Sequence, residues 1–179
     1  MKRFLLPVFL LFAACASDRA ARLGRLEVEH LSAPEPVPLA LDDTFHIGKV
    51  FTLLIDPSLQ RTALQNGGLG NGWLKAEIER RYFGAVSQME RRSREGHYYS
   101  VHWSAARPAD VRVRMEYRQQ KLGLHVQAME RFYSGAKGAQ KTEFSVIGDD
   151  YHEDGAVTAW RVTLIENGRI VAVTQSFLW

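Results

Sequence analysis

Val111-Arg112-Val113-Arg114-Met115-Glu116-Tyr117-Arg118 alternates apolar and charged residues without a break. Successive side chains of an extended strand point to opposite faces. Period two over this stretch therefore predicts a strand with Val111, Val113, Met115 and Tyr117 toward a core and the charged residues toward water. Strand signals recur on both sides of it. Residues 26–31 alternate in the same way, and residues 45–55 form a second strand region, apolar enough from Val50 onward to predict burial on both faces. Residues 83–92 and 97–104 flank a turn at Gly96, which reads as a hairpin. Residues 124–132 and 142–147 are two more strands, separated by a loop at 134–140. Residues 157–165 and 169–179 are joined by Asn167-Gly168, a dipeptide that supplies the positive φ angles of a type I′ turn.

Two helices interrupt this pattern early. Asp56-Pro57 starts one, with the carboxylate placed to accept from free N–H groups and proline in the first turn, and Asn66-Gly67 stops it. Asn71 caps a second that runs through Trp73 and Ile78 to about Arg81. Pro34, Pro36 and Pro38 lack the N–H of a central strand, so they mark an extended loop or an edge. Roughly eight or nine strands in one domain predict a mainly β fold built from two packed sheets or a closed barrel, with the first preferred. The expectation is an antiparallel β-sandwich of immunoglobulin-like character with two short helices inserted in its first half.

The chain begins with Lys2 and Arg3 followed by eleven uncharged residues, 4–14, the layout of an export signal. A membrane-spanning helix needs about 20 apolar residues, so this run is too short to cross. Phe12-Ala13-Ala14-Cys15 resembles the lipobox of bacterial lipoprotein precursors. The resemblance implies a signal peptide at 1–14, cleavage before Cys15, diacylation of that cysteine, a tether at 15–22 and a single β-rich domain at 23–179. Two acyl chains give stable anchoring, so a membrane is the first implied partner. Ala16 stands where an aspartate signals retention in the inner membrane, which implies placement in the outer membrane. Read instead as a small-x-small cleavage site, Ala14-Cys15-Ala16 would release a soluble periplasmic protein.

Composition narrows the function classes. The 179 residues are 46% apolar with 19 aromatics, which argues against disorder. Cys15 is the single cysteine, so no disulfide staples the domain. Loss of Lys2 and Arg3 leaves 21 basic against 20 acidic residues, a net charge of about +1, and nucleic acid is not an expected partner. The arginines at 80, 81, 91, 92 and 94 are interleaved with Glu77, Glu79, Glu90 and Glu95, as on a solvated charged face.

No motif predicts catalysis or a cofactor. The run Gly67-Gly68-Leu69-Gly70-Asn71-Gly72 has Trp73 where a dinucleotide fingerprint needs glycine, and no Lys-Ser/Thr pair completes a P-loop. In the acidic stretch 149–155, a calcium loop counted from Asp150 meets His152 at its third position and Arg161 at its twelfth, which leaves Asp150, His152 and Asp154 as a weak cation site beside the reading as a polar turn. Ser134-Gly135-Ala136-Lys137 has the Ser-x-x-Lys spacing without its companion motifs. Alternation places His97, Tyr99 and Trp103 on one face, where they make either a platform for sugar or peptide or ordinary core, and His102 on the other. The leading expectation is a non-enzymatic envelope lipoprotein that binds, scaffolds or assembles, with envelope proteins or cell-wall polymer as partners. Two alternatives stand beside it. One is a small eight-stranded outer-membrane β-barrel, suggested by Phe177-Leu178-Trp179. The other is a periplasmic enzyme acting on wall glycan through Asp149, Asp150 and His152.

Overall fold

The computed structural model describes residues 28–31, 33–58 and 72–179. The signal segment, Cys15, the tether, the start of the 26–31 strand, most of the expected 56–65 helix and the glycine run before Gly72 lie outside the described residues. The fold is mainly β: β1 Glu29–Leu31, β2 Phe45–Ile55, α1 Gly72–Tyr82, α2 Gln88–Arg92, β3 Gly96–Gln119, β4 Gln127–Ile147, α3 Asp149–Asp154, β5 Val157–Glu166 and β6 Arg169–Gln175. Where the sequence predicts two packed sheets, all six strands join one antiparallel sheet. Its order is β1-β4-β3-β5-β6, and β2 pairs with the first half of β3 on the edge that β5 uses along the second half.

β3 and β4 are single strands of 24 and 21 residues, where the sequence suggests two shorter strands in each. The break expected at 134–140 is a bulge. The register slips between Ala105, Ala109 and Val111, and Ala106, Arg107 and Pro108 have no ladder partner on β4. Opposite them Gly135 adopts a φ of 60°, and the Asp110 carboxylate accepts from the Gly135 N–H at 2.7 Å. Residues typical of loops thus bend the long hairpin without interrupting it.

The bend brings the two halves of β3 face to face. Eighteen residues of straight strand would separate Tyr99 from Tyr117 by roughly 60 Å. Yet the Tyr99 ring lies 6.2 Å from that of Trp160, which is the ladder partner of Tyr117. One core results, shared by Tyr99, Val101 and Trp103 from the first half and Val111, Val113, Met115 and Tyr117 from the second.

Several expectations are corrected here. Arg114 and Glu116 do not face water; both are buried, and Arg114 Nη1 donates to the Glu35 carbonyl at 2.8 Å beneath the proline-rich stretch. β2 is not buried on both faces, since Phe51 and Thr52 are exposed, while Phe45, Ile47 and Ile55 are buried and Val50 packs against the core. Residues 83–92 are not a strand. Ser87 Oγ accepts from the Glu90 N–H at 3.1 Å while the Glu90 carboxylate accepts from the Ser87 N–H at 2.8 Å, a capping box that starts α2. Residues 149–154 form a short helix in place of a turn, and β6 stops at Gln175. The Asn167-Gly168 turn has φ angles of 49° and 71°, as a type I′ turn requires.

Candidate functional site

The residues singled out from the sequence occupy two places. Tyr99 and Trp103 are each 2% exposed and face the core, where Trp103 Nε1 donates to Thr142 Oγ1 at 2.9 Å. His97 is half-buried between the rings of Tyr99 and Tyr151, whose centres lie 6.0 and 5.9 Å away. Its Nδ1 stands 3.4 Å from the Tyr99 hydroxyl, and its buried Nε2 has no hydrogen-bond partner. Asp150, His152 and Asp154 lie on α3, where His152 Nε2 is 3.3 Å from the Glu95 carboxylate and 3.2 Å from the Arg92 carbonyl. Asp149 and Asp150 are exposed. Among the described residues no three His, Cys, Asp or Glu side chains are grouped to hold a metal ion.

His97 makes the fold sensitive to acid. Burial holds its imidazole neutral, lowering the pKa from 6.5 to about 4. The stability gained from the neutral ring is complete above pH 6.5 and is lost as pH falls from there through 4, because the unfolded chain takes up the proton first. With partial exposure allowed for, the loss is about 2 kcal/mol. Urea unfolding of the wild type and His97→Gln between pH 7 and pH 4 should diverge by that amount. Parallel curves would exclude His97 as the cause.

The opposite face of the same strands carries a cleft of about 220 Å³. Its floor comes from three adjacent strands: Phe51 and Leu53 on β2, Tyr98, Ser100 and His102 on β3, and Lys141 on β4. Its wall is α1, which contributes Trp73, Glu77, Arg80 and Arg81. Arg81 pins that helix to the sheet, with its guanidinium 4.4 Å from the centre of the Tyr98 ring and 3.5 Å from the Glu143 carboxylate. Glu77 accepts from Arg80 at 2.6 Å and from Arg81 at 2.9 Å, and the hydrogen bond from Arg80 is the main reason its pKa falls to about 2. Glu143, beside the cleft, also accepts from Lys141 at 2.7 Å, so the three cations meet two carboxylates.

Two exposed rings border this cleft. Trp73 is 65% exposed and Phe51 47%, and the His102 ring meets Phe51 edge-on at 5.4 Å. Large apolar side chains left in water beside a concave, charged surface are the usual composition of a binding site. The volume suits one sugar ring or one side chain, with the rest of any ligand lying along the surface. Alternation separates His102 from His97, but no local pattern in the sequence says that α1 crosses above it. Comparison with models of known protein families, with curated protein sequences and with solved structures finds no match for this chain.

Proposed function

We propose that this protein is a non-enzymatic binding module of the bacterial envelope, anchored to the outer membrane through acylated Cys15, which receives its ligand in the cleft between α1 and the β2-β3-β4 face. The observation that carries the reading is the exposure of Trp73 and Phe51 beside Arg80, Arg81 and Lys141. Rings invite stacking against a flat or ring-shaped ligand, and the cations favour one that also bears a carboxylate. Fragments of cell-wall polymer, with sugar rings and peptide carboxylates, have both. The facing halves of the sheet support treating the body as a sandwich-like frame of immunoglobulin-like character. That Val111, Val113, Met115 and Tyr117 point inward favours this reading over a membrane barrel, whose apolar residues would face lipid. The exposure of Asp149 and Asp150, away from the cleft, favours it over a wall-acting enzyme.

Titration calorimetry with a purified disaccharide-tetrapeptide wall fragment tests the cleft. Binding is expected, and Trp73→Ala should weaken it roughly tenfold, the loss of one good stacking contact. Because Trp73 is mostly in solvent, the variant should melt as the wild type does. Absence of heat with the fragment, or equal affinity in the variant, would remove this ligand class. The mass of the membrane-extracted protein beside Cys15→Ser tests the anchor separately.

A further inference from the structure

The stretch that leads from the end of α1 into α2 turns its large apolar side chains into water. Phe83 is 85% exposed, Val86 89% and Met89 81%. Three residues of chain reach at most about 10 Å, so these side chains lie close together and form one patch. A slack loop would fold such residues away, but this one is fixed. The Glu90 carboxylate accepts from the Val86 and Ser87 N–H groups at 2.7 and 2.8 Å, and the Ala85 N–H donates to the Tyr82 carbonyl at 2.9 Å. Arg94 Nη1 donates to the carbonyls of Arg81 and Phe83, and the small side chain of Ala85 is the one that turns inward.

Contiguous apolar side chains held in water mark a contact with another protein or with a membrane. Two features select the membrane, and one that is anionic. The first is the backbone. A hydrocarbon surface offers no hydrogen-bond partner, and the N–H groups of Ala85, Val86 and Ser87 are already satisfied within the loop. The second is charge. Arg92 follows Met89 by three residues on α2, so the two share a face, and both Arg91 and Arg92 are exposed. The nearby acids are committed elsewhere, Glu90 to the loop backbone and Glu95 to His152 at 3.3 Å. An apolar tip with arginines beside it matches the layering of acyl chains beneath anionic headgroups.

We propose that Phe83, Val86 and Met89 dip into the surface of an anionic phospholipid bilayer while Arg91 and Arg92 rest among its headgroups, holding the domain against the membrane at this end. The contact uses no residue that lines the cleft and no acyl chain, so it stands apart from the proposed ligand and from the anchor.

A polarity-sensitive fluorophore on Met89→Cys of the full chain tests it, with wild type treated alike as the background from Cys15, the only other cysteine. On vesicles of phosphatidylglycerol and phosphatidylethanolamine the emission should move to the blue and quenching by iodide should fall, with little change on phosphatidylcholine. The same probe on Lys137→Cys is the control, because that exposed residue lies eleven positions along β4 from Gly148, roughly 35 Å from the end of the strand where α2 sits. Arg91→Gln/Arg92→Gln removes two cations from the surface and should shift the docked-to-free ratio roughly thirtyfold toward free. A Met89 probe as open to iodide on anionic vesicles as in solution would overturn the proposal, and if the chain still floats with those vesicles the anchor survives it. An equal change at Lys137, or a Met89 signal untouched by the double arginine variant, would overturn it too.

Discussion

Tyr99→Ala is expected to cost about 3–5 kcal/mol, the range for deleting a fully buried aromatic side chain. The residue sits where the bent sheet closes on itself. Its ring is 6.2 Å from Trp160, which belongs to the far half, and 6.0 Å from His97, which belongs to its own. A cavity left there has little means of collapse. β4 and β2 hold the near half in register, β5 holds the far half, and the bulge at 106–108 fixes the angle between them. Tyr99→Phe supplies the control, since it keeps the ring and removes only a hydroxyl whose contact with His97 Nδ1 is 3.4 Å long. That change should cost about 1 kcal/mol or less. Urea unfolding at pH 7 measures both. A Tyr99→Ala variant within 1 kcal/mol of the wild type would mean that the two halves are not held together through this ring.

The core face of the domain was legible in the sequence, whereas its outer face was not. Val111, Val113, Met115 and Tyr117 point inward because period two fixes one face of a strand, whatever the strand pairs with. The same rule made Arg112, Arg114, Glu116 and Arg118 look wet, which holds for exposed Arg112 and fails for buried Arg114 and Glu116, because alternation says only that these residues share a face. Whether that face meets water depends on what folds over it, here the 33–38 stretch, which is distant in sequence. The long hairpin was hidden for a related reason. Ser134, Gly135 and Gly138 have the chemistry of a loop, and only their pairing across from Ala105 to Val111 turns that chemistry into a bulge. The start of α2, expected to be strand, was missed although a local signal for it was present. Ser87-x-x-Glu90 is a capping box that outweighs the apolar residues around it. In the cleft, His102 could be assigned to the face away from His97, but Trp73 and Arg80 reach it through packing of α1 that no local pattern encodes.

The covered face also carries the second large effect. Arg114 is 5% exposed, and its side chain holds three groups at once. Nε donates to the Glu130 carboxylate, Nη1 donates to the Glu35 carbonyl at 2.8 Å, and Nη1 lies 3.7 Å from Glu116. Arg114→Met would leave buried Glu130 with only the half-exposed Arg112, 3.2 Å away, and would leave the Glu35 carbonyl without this donor. Glu116 would keep Arg161, whose Nε donates to it at 2.8 Å. Removing one partner of a buried pair is costly because the other charge stays desolvated, so the single variant should lose about 3–5 kcal/mol. Removing both should cost far less. In Arg114→Met/Glu130→Met, two apolar side chains of similar length replace the pair, and stability should return to within about 1–2 kcal/mol of the wild type. Urea unfolding of both single variants and the double variant completes a cycle whose interaction energy isolates the pair. A double variant as unstable as Arg114→Met alone would show that the arginine matters through its bond to the Glu35 carbonyl. The pair would then serve to fasten the proline-rich stretch over the sheet, and that stretch would be the element whose loss unfolds the outer face.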